Sequence, residues 1–554
     1  MATPSSITDI FVNARIYTGD ASNPWAQALA VSGNKLSAVG DEGTVRESAP
    51  ASAAVHDLGG RFVMPGLVDV HAHLGLGGRQ QAFELPVLPT DTLDEILGKV
   101  RAWAADLEDG QWVVGGIVGS TVMDDLDVDS LRALDEASLG HPVLLRDDSM
   151  HNRWVNTRAL QIMGVDASTP NPEGGTYVHN DAGELTGVLW ELAGSLAEEA
   201  VDASISDPAA YRTTALRTAV ATMNSFGITA VQEAATMDYA LTGLHDLDKR
   251  GELTAHVVAS MPSRTFIEPG ITGAELYEVG EQHHSEHVRP SFSKYVLDGV
   301  PMTRTSAMLN PYRCTAHDHD ADFTGESLWS LEDLVSSLDD LVQRGLHAKL
   351  HATGDASVRT VLDAVEQIRA IHGDAPIFQI AHPEYIDESD VQRFADLGVV
   401  PDASPYLWFP SVIQQSIAKQ IPAEVFDRSW VLKDLAAAGA LVSGGSDWPC
   451  AAPTPDPWTG LATMVTRSNP DPEVEGALNP DQALDIHQAI AAFTQNPAKA
   501  MGLEDVTGTL RAGLSADFIV LDRDIVDCDP AEVAGTKVLH TYFEGTEVYA
   551  AVTV

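Results

Sequence analysis

The sequence predicts an α/β protein: a (β/α)8, TIM-like barrel with a small β-sandwich built from both termini and an inserted α+β domain after the first barrel strand. Three observations carry this prediction. Short apolar, strand-like runs recur along the 554 residues, and most are followed by a helical pattern. Several of these runs end in a titratable residue. One connection, after the first run, is too long to be a loop.

Taken in order, residues 7 to 62 give short alternating runs at 9 to 17 and 28 to 40, separated by turn residues. The runs at 517 to 522 and 538 to 549 do likewise, so the sandwich is expected over 1–62 and 505–554. The barrel is expected over 63–77 and 207–504. Its strands are predicted at 67–71, 228–233, 256–261, 294–298, 347–351, 377–382, 399–404 and 440–446. The inserted domain takes 78–206, with a helix at 94–107, strands at 112–118 and 143–146, and a hairpin at 176–189 turning at 180–183. It leaves the barrel on the side where the strands end, and is therefore expected to act as a lid and substrate domain.

The chemistry begins at Val63-Met64-Pro65-Gly66-Leu67-Val68-Asp69-Val70-His71-Ala72-His73. Residues i and i+2 of a strand share a face, so His71 and His73 can aim two imidazoles at one cation. A second pair, His317 and His319, lies in a polar stretch with no apolar run before it and reads as solvated loop. Lys294, His351, His382 and Asp447 each sit in or just after a later strand-like run. Such residues gather at one end of a parallel barrel, where active sites are built.

As a set, Pro65 to His73, Lys294 with Asp298-Gly299, His351-Ala352-Thr353-Gly354-Asp355, Ala381-His382-Pro383 and Gly445-Ser446-Asp447-Trp448-Pro449 resemble the amidohydrolase superfamily. Within it they resemble the branch of YtcJ-like proteins and N-substituted formamide deformylases, amidohydrolase family 3. The likeness spans nearly the whole chain. It implies two divalent metal ions, with zinc expected. His71 and His73 would hold one, His351 and His382 the other, with Lys294 carboxylated as a bridge. Asp447 would be a ligand of the first metal and the catalytic acid-base beside the attacking hydroxide.

Elementary chemistry agrees with those roles. A divalent metal lowers the pKa of bound water from ~15.7 to about 7, and a second ion about 3.5–4 Å away can clamp a developing oxyanion. A protonated lysine has no acceptor and would be repelled by a metal, whereas a carboxylated one is an anionic two-oxygen ligand. An aspartate can take the nucleophile's proton and pass it to a departing amine. Lys349, between His347 and His351 on one strand face, is expected to support the site or the fold. Asp355 is expected to cap the helix at 356–370.

Substrate contacts are expected from His151 and Asn156, because His151-Asn152-Arg153-Trp154-Val155-Asn156 resembles a segment of the same family. Trp190, Trp408 and Trp448, with Tyr406 and Phe409, point to an apolar or aromatic substituent. The function implied is hydrolysis of C–N bonds in a small amide-like substrate, such as an N-substituted formamide, amide, carbamate or cyclic imide. The alternative is a mononuclear-metal deaminase of an aromatic or heterocyclic amine on the same barrel. Lys294 and the lack of a glutamate just beyond His351 speak against it. A non-catalytic scaffold is disfavoured because every expected ligand type is present.

Composition bounds the rest. A net charge of −47 repels phosphate backbones and excludes nucleic acid as a partner. With only nine lysines, the acid excess suggests adaptation to salt. Three cysteines, Cys314, Cys450 and Cys528, make no disulfide framework. The start of the sequence lacks the basic and apolar regions of a signal peptide, and no run of about 18 apolar residues could span a membrane. A cytoplasmic enzyme acting on a small molecule is expected, with a homodimer as the default assembly.

Overall fold

The computed structural model describes residues 7–147, 150, 152–172, 175–265, 270–313, 322–450 and 452–552, the side chains of 120, 121 and 191 apart. The chain divides into two units. One comprises Met1–His73, Val220–Asp447 and Pro455–Val554; the other comprises Leu74–Ala219 and Trp448–Thr454.

The first unit is built on eight parallel strands: β1 Leu67–Ala72, β2 Ile228–Glu233, β3 His256–Pro262, β4 Val288–Val296, β5 His347–His351, β6 Phe378–Ala381, β7 Val399–Ala403 and β8 Ser443–Gly444. They lie side by side in chain order. The two ends of the sheet meet, since the Asp447 N–H donates to the His71 carbonyl at 2.7 Å. Strands β1, β2 and β3 are buried at every position, the mark of a parallel sheet covered on both faces. The flanking helices follow from apolar residues three and four apart. Helix Leu331–Gln343 buries Leu334, Leu338 and Leu341 and is capped by Ser330, while helix Asp355–His372 buries Val358, Val361, Leu362, Val365 and Ile368.

Three local expectations are corrected. The fourth strand starts six residues earlier than predicted and stops at Val296, because the Asp298 carboxylate accepts the N–H groups of Ala307, Thr353 and Gly354 in a loop network. The eighth strand is only two residues long, pairing Ser443 with Asp402 and Gly444 with Ala403. Asp355 is the first residue of its helix rather than the cap, a place Gly354 takes, and its carboxylate accepts from the Leu309 N–H at 2.7 Å.

Two further sheets use both ends of the chain. One, of four strands, runs from Asp9–Val12 to Ala54–Asp57; the other, of six, combines Arg15–Tyr17, Trp25–Ala26 and Phe62–Pro65 with Phe518–Leu521, Val538–Phe543 and Thr546–Ala550. They share a core of Phe11, Ile16, Leu29, Val63, Phe518 and Tyr542. Phe62–Pro65 passes into β1 through Gly66, where a Cβ would lie 2.2 Å from Thr229 Oγ1, so the close approach requires glycine.

The second unit holds a six-stranded mixed sheet with helices such as Leu93–Ala104, entered through a Thr92/Glu95 capping box. Strands Gly175–His179 and Leu185–Glu191 form the predicted hairpin. A buried ion network ties this unit together: Arg146 contacts Glu84 at 2.6 Å and Glu198 at 2.8 Å, and Arg153 contacts Glu198 at 2.6 Å.

Candidate metal centre

The ends of β1, β4, β5 and β6, with the turn after β8, bring His71, His73, Lys294, His351, His382 and Asp447 together. His71, His382 and Asp447 each offer one ligand atom, all within 4.8 Å of one another. Asp447 Oδ1 lies 3.3 Å from His73 Nε2 and 3.5 Å from His71 Nε2, and Oδ2 lies 3.8 Å from His382 Nε2. The His351 and His382 rings are 5.3 Å apart. Lys294 lies in register with Lys349 on β5, one pleat below His351, and is long enough to bring Nζ to 3.3 Å from His71 Nε2.

Three of the four imidazoles are oriented by their other nitrogen. His71 Nδ1 donates to Asp402 Oδ2 at 2.7 Å, and that oxygen also accepts from Lys349 Nζ at 2.5 Å. A carboxylate can only accept, so the proton sits on Nδ1 and Nε2 turns a lone pair towards the centre. His351 Nε2 donates to the Gly299 carbonyl at 3.0 Å, which makes Nδ1 its acceptor nitrogen. His382 Nδ1 is 2.8 Å from Ser404 Oγ. This donor set of neutral imidazole and carboxylate suits a divalent transition metal.

The electrostatics point the same way. Burial, reinforced for His71 by Lys294, holds the His71 and His382 imidazoles well below the usual histidine range, so both are neutral and able to ligate. Burial pushes Asp447 up, but His382, His73 and Lys294 outweigh it and leave the carboxyl below its ordinary value. Asp69, buried beneath, is pushed up to about 7 by burial while accepting the N–H groups of His71 and Ser446. His382 and Asp447 both adopt left-handed backbone, with φ of 59° and 54°. Non-glycine residues are held there at a cost that recurs at functional sites.

Asp402 and Ser404 carry no local motif and are not among the residues singled out from the sequence. The signal for Asp402 is an acid closing the apolar run Val399-Val400-Pro401. Lys349 takes up its supporting place through Asp402. The expected substrate contacts fare differently. Asn156 is corrected to a structural residue: Oδ1 accepts from Val143 and Ala159 N–H, and Nδ2 donates to the His141 carbonyl and Ser138 Oγ, which uses all its hydrogen-bonding capacity. Trp408 is fully buried, 5.3 Å from the Trp430 ring. In the second unit, Trp190 is half exposed and Trp448 is buried with its ring over Gly77. His151, with Cys314 and the His317/His319 pair, lies outside the described residues.

Comparison with known proteins converges on one family. The amidohydrolase family model matches residues 54–549. The chain is 28% identical over 551 residues to the N-substituted formamide deformylase of Arthrobacter pascens, covering 98% of each. It is 27% identical over 496 residues to YtcJ of Bacillus subtilis (strain 168), covering 89% of this chain and 90% of that one. A solved metal-dependent hydrolase from Pyrococcus horikoshii superposes with a TM-score of 0.75 at 21% identity, over 94% of this chain and 99% of that one. With a cluster of oriented imidazoles and a carboxylate at the mouth of an eight-stranded parallel sheet, the chain belongs to the amidohydrolase family of metal-dependent hydrolases.

Proposed function

We propose that this protein hydrolyses the C–N bond of a small amide-like substrate, with an N-substituted formamide, amide, carbamate or cyclic imide as the candidate class. The observation that carries the reading is the convergence of six side chains, three of whose imidazoles are fixed through the far nitrogen. The formamide deformylase relative supports the substrate class. His71 and His73 would hold one divalent ion and His351 and His382 a second, with zinc the preferred metal. Lys294, as an unmodified ammonium, would compete for the His71 lone pair it lies against; carboxylation would make it an anionic two-oxygen ligand.

When bound, the metals supply water acidified to neutral pH and a Lewis acid for the acyl oxygen. The chain's own residues do the rest. Asp447, ionised and within 4 Å of three imidazoles, takes the nucleophile's proton and returns it to the departing amine nitrogen. Asp402 and Lys349 fix His71, and burial of the ligands excludes competing water.

Metal-replete protein is tested against N-benzylformamide, aryl carbamates and hydantoins, and absence of turnover on every one of them removes the amidase reading. Elemental analysis is expected to give two metals per chain, with Lys294→Ala losing one and short carboxylic acids restoring it. One metal per chain, indifferent to that substitution, would instead favour a mononuclear deaminase.

A further inference from the structure

Away from the barrel mouth, a second group of ligand-type side chains converges where β4 begins. Glu286, His287 and Glu544 each offer one ligand atom, all within 4.8 Å of one another. His287 directly precedes Val288, the first residue of β4, and Glu544 lies in the turn between strands Val538–Phe543 and Thr546–Ala550. Lys294 follows after roughly 23 Å of extended strand, so the two groups do not share an ion.

The His287 ring is already held as a ligand would be. Asp248 grips it from one side, Oδ2 accepting the His287 backbone N–H at 3.0 Å and Oδ1 lying 2.6 Å from Nδ1. A proton on Nδ1 leaves the lone pair to Nε2, and a carboxylate behind the ring is the usual way a metal-bound imidazole is oriented. Nε2 is buried and lies 3.2 Å from Glu544 Oε1, without the alignment of a hydrogen bond. Glu544 is fixed as well: Oε1 accepts from Asn34 Nδ2 at 3.0 Å, and the backbone N–H donates to Asp517 Oδ1 at 2.9 Å. Its φ of 51° is left-handed, a cost that non-glycine residues bear where their position is over-determined.

Charge calls for more than a proton here. Asp248, Glu286 and Glu544 set three carboxylates about one imidazole, and among the described residues no lysine or arginine pairs with any of them. Even as an imidazolium, its form in the metal-free chain, His287 leaves the group net negative. A field of net charge −47 further concentrates cations at the surface. An ion that binds nitrogen and oxygen at about 2.0–2.2 Å keeps its ligands roughly 3–4 Å apart, a spacing that small side-chain rotations reach. We propose that Glu286, His287 and Glu544 form a divalent-cation site suited to zinc, which staples the start of β4 to the C-terminal hairpin. Glu286 is exposed, so solvent can complete the coordination. The site is independent of the amide-hydrolase reading.

The test compares the full chain with His287→Gln, Glu544→Gln, Asp248→Asn and His71→Ala, the last breaking only the barrel-mouth centre. Bound zinc is counted by elemental analysis after equilibrium dialysis against zinc chloride. Melting temperature is read in zinc chloride against magnesium chloride at equal concentration. His287→Gln and Glu544→Gln are each expected to bind one zinc fewer than the wild type. His71→Ala keeps a zinc-specific rise in melting temperature, and His71→Ala combined with His287→Gln loses it. Asp248→Asn, which removes only the charge behind the ring, needs about 10- to 100-fold more zinc for the same rise. Zinc content and zinc-dependent melting in His287→Gln equal to those of the wild type would overturn the proposal. So would magnesium stabilising His71→Ala as well as zinc does, since the acidic group then attracts only loose counter-ions. Should His287→Gln not fold, Glu286→Gln at its exposed position decides, by binding one zinc fewer than the wild type or the same number.

Discussion

The two nitrogens of His71 do different work, and Asp402 separates them. With Nδ1–H fixed on a buried carboxylate, Nε2 carries the lone pair and the ring cannot flip. Lys349 places a positive charge on the same oxygen, so the carboxylate is compensated without solvent. Asp402→Asn keeps the shape and removes the charge that anchors this arrangement. It is expected to weaken metal binding by about 10- to 100-fold, measured by chelator competition. An affinity equal to wild type would show that His71 needs no such anchor.

At the level of elements, the centre depends on how closely β8 approaches β1. A Cβ on Gly445 would lie 2.7 Å from both Cβ and N of His71, where backbone leaves nothing to yield. Gly445→Ala is therefore expected to cost about 1–3 kcal/mol of stability and to lower metal content. Gly40→Ala, which meets nothing within 4 Å, serves as the neutral control. A second tie joins helix Asp238–Lys249, the start of β4 and the hairpin after Val538. His287 Nδ1 sits 2.6 Å from Asp248 and Nε2 3.2 Å from Glu544. Burial opposes its charge, but Glu544 and Asp248 overcome it and raise the imidazole from 6.5 to about 9. A raised folded pKa means the contribution, roughly 2–4 kcal/mol, is full below about pH 6.5 and is lost as pH rises through about 9. Melting temperature should fall across that window in the wild type and fall less in His287→Gln; parallel curves would refute it. These ties also mark what can be read from a linear chain. The eight strands were legible because each is an apolar run, and five of the six proposed ligands because each lies within or beside such a run ending in a recurrent motif. Lys294 was legible as a lysine within a strand-like run, followed by Asp298-Gly299. Asp402 was not, because its meaning lies in a partner 331 residues away.

Across the whole molecule, acidic charge is the dominant bulk property, with 80 Asp and Glu against 33 Lys and Arg. Self-repulsion of that size weakens the compact state in dilute buffer and is screened as the Debye length shrinks from about 30 Å at 0.01 M to about 3 Å at 1 M salt. Melting temperature is expected to climb between dilute buffer and molar salt, and a flat profile would remove salt adaptation as the reason for the composition. Among the described residues no helix is long and apolar enough to cross a membrane. The contact of Asp447 with His71 has a final consequence. Because the candidate ligands His71 and Asp447 come from the first and last strands, the cluster of His71, His382 and Asp447 is assembled only when the sheet closes upon itself.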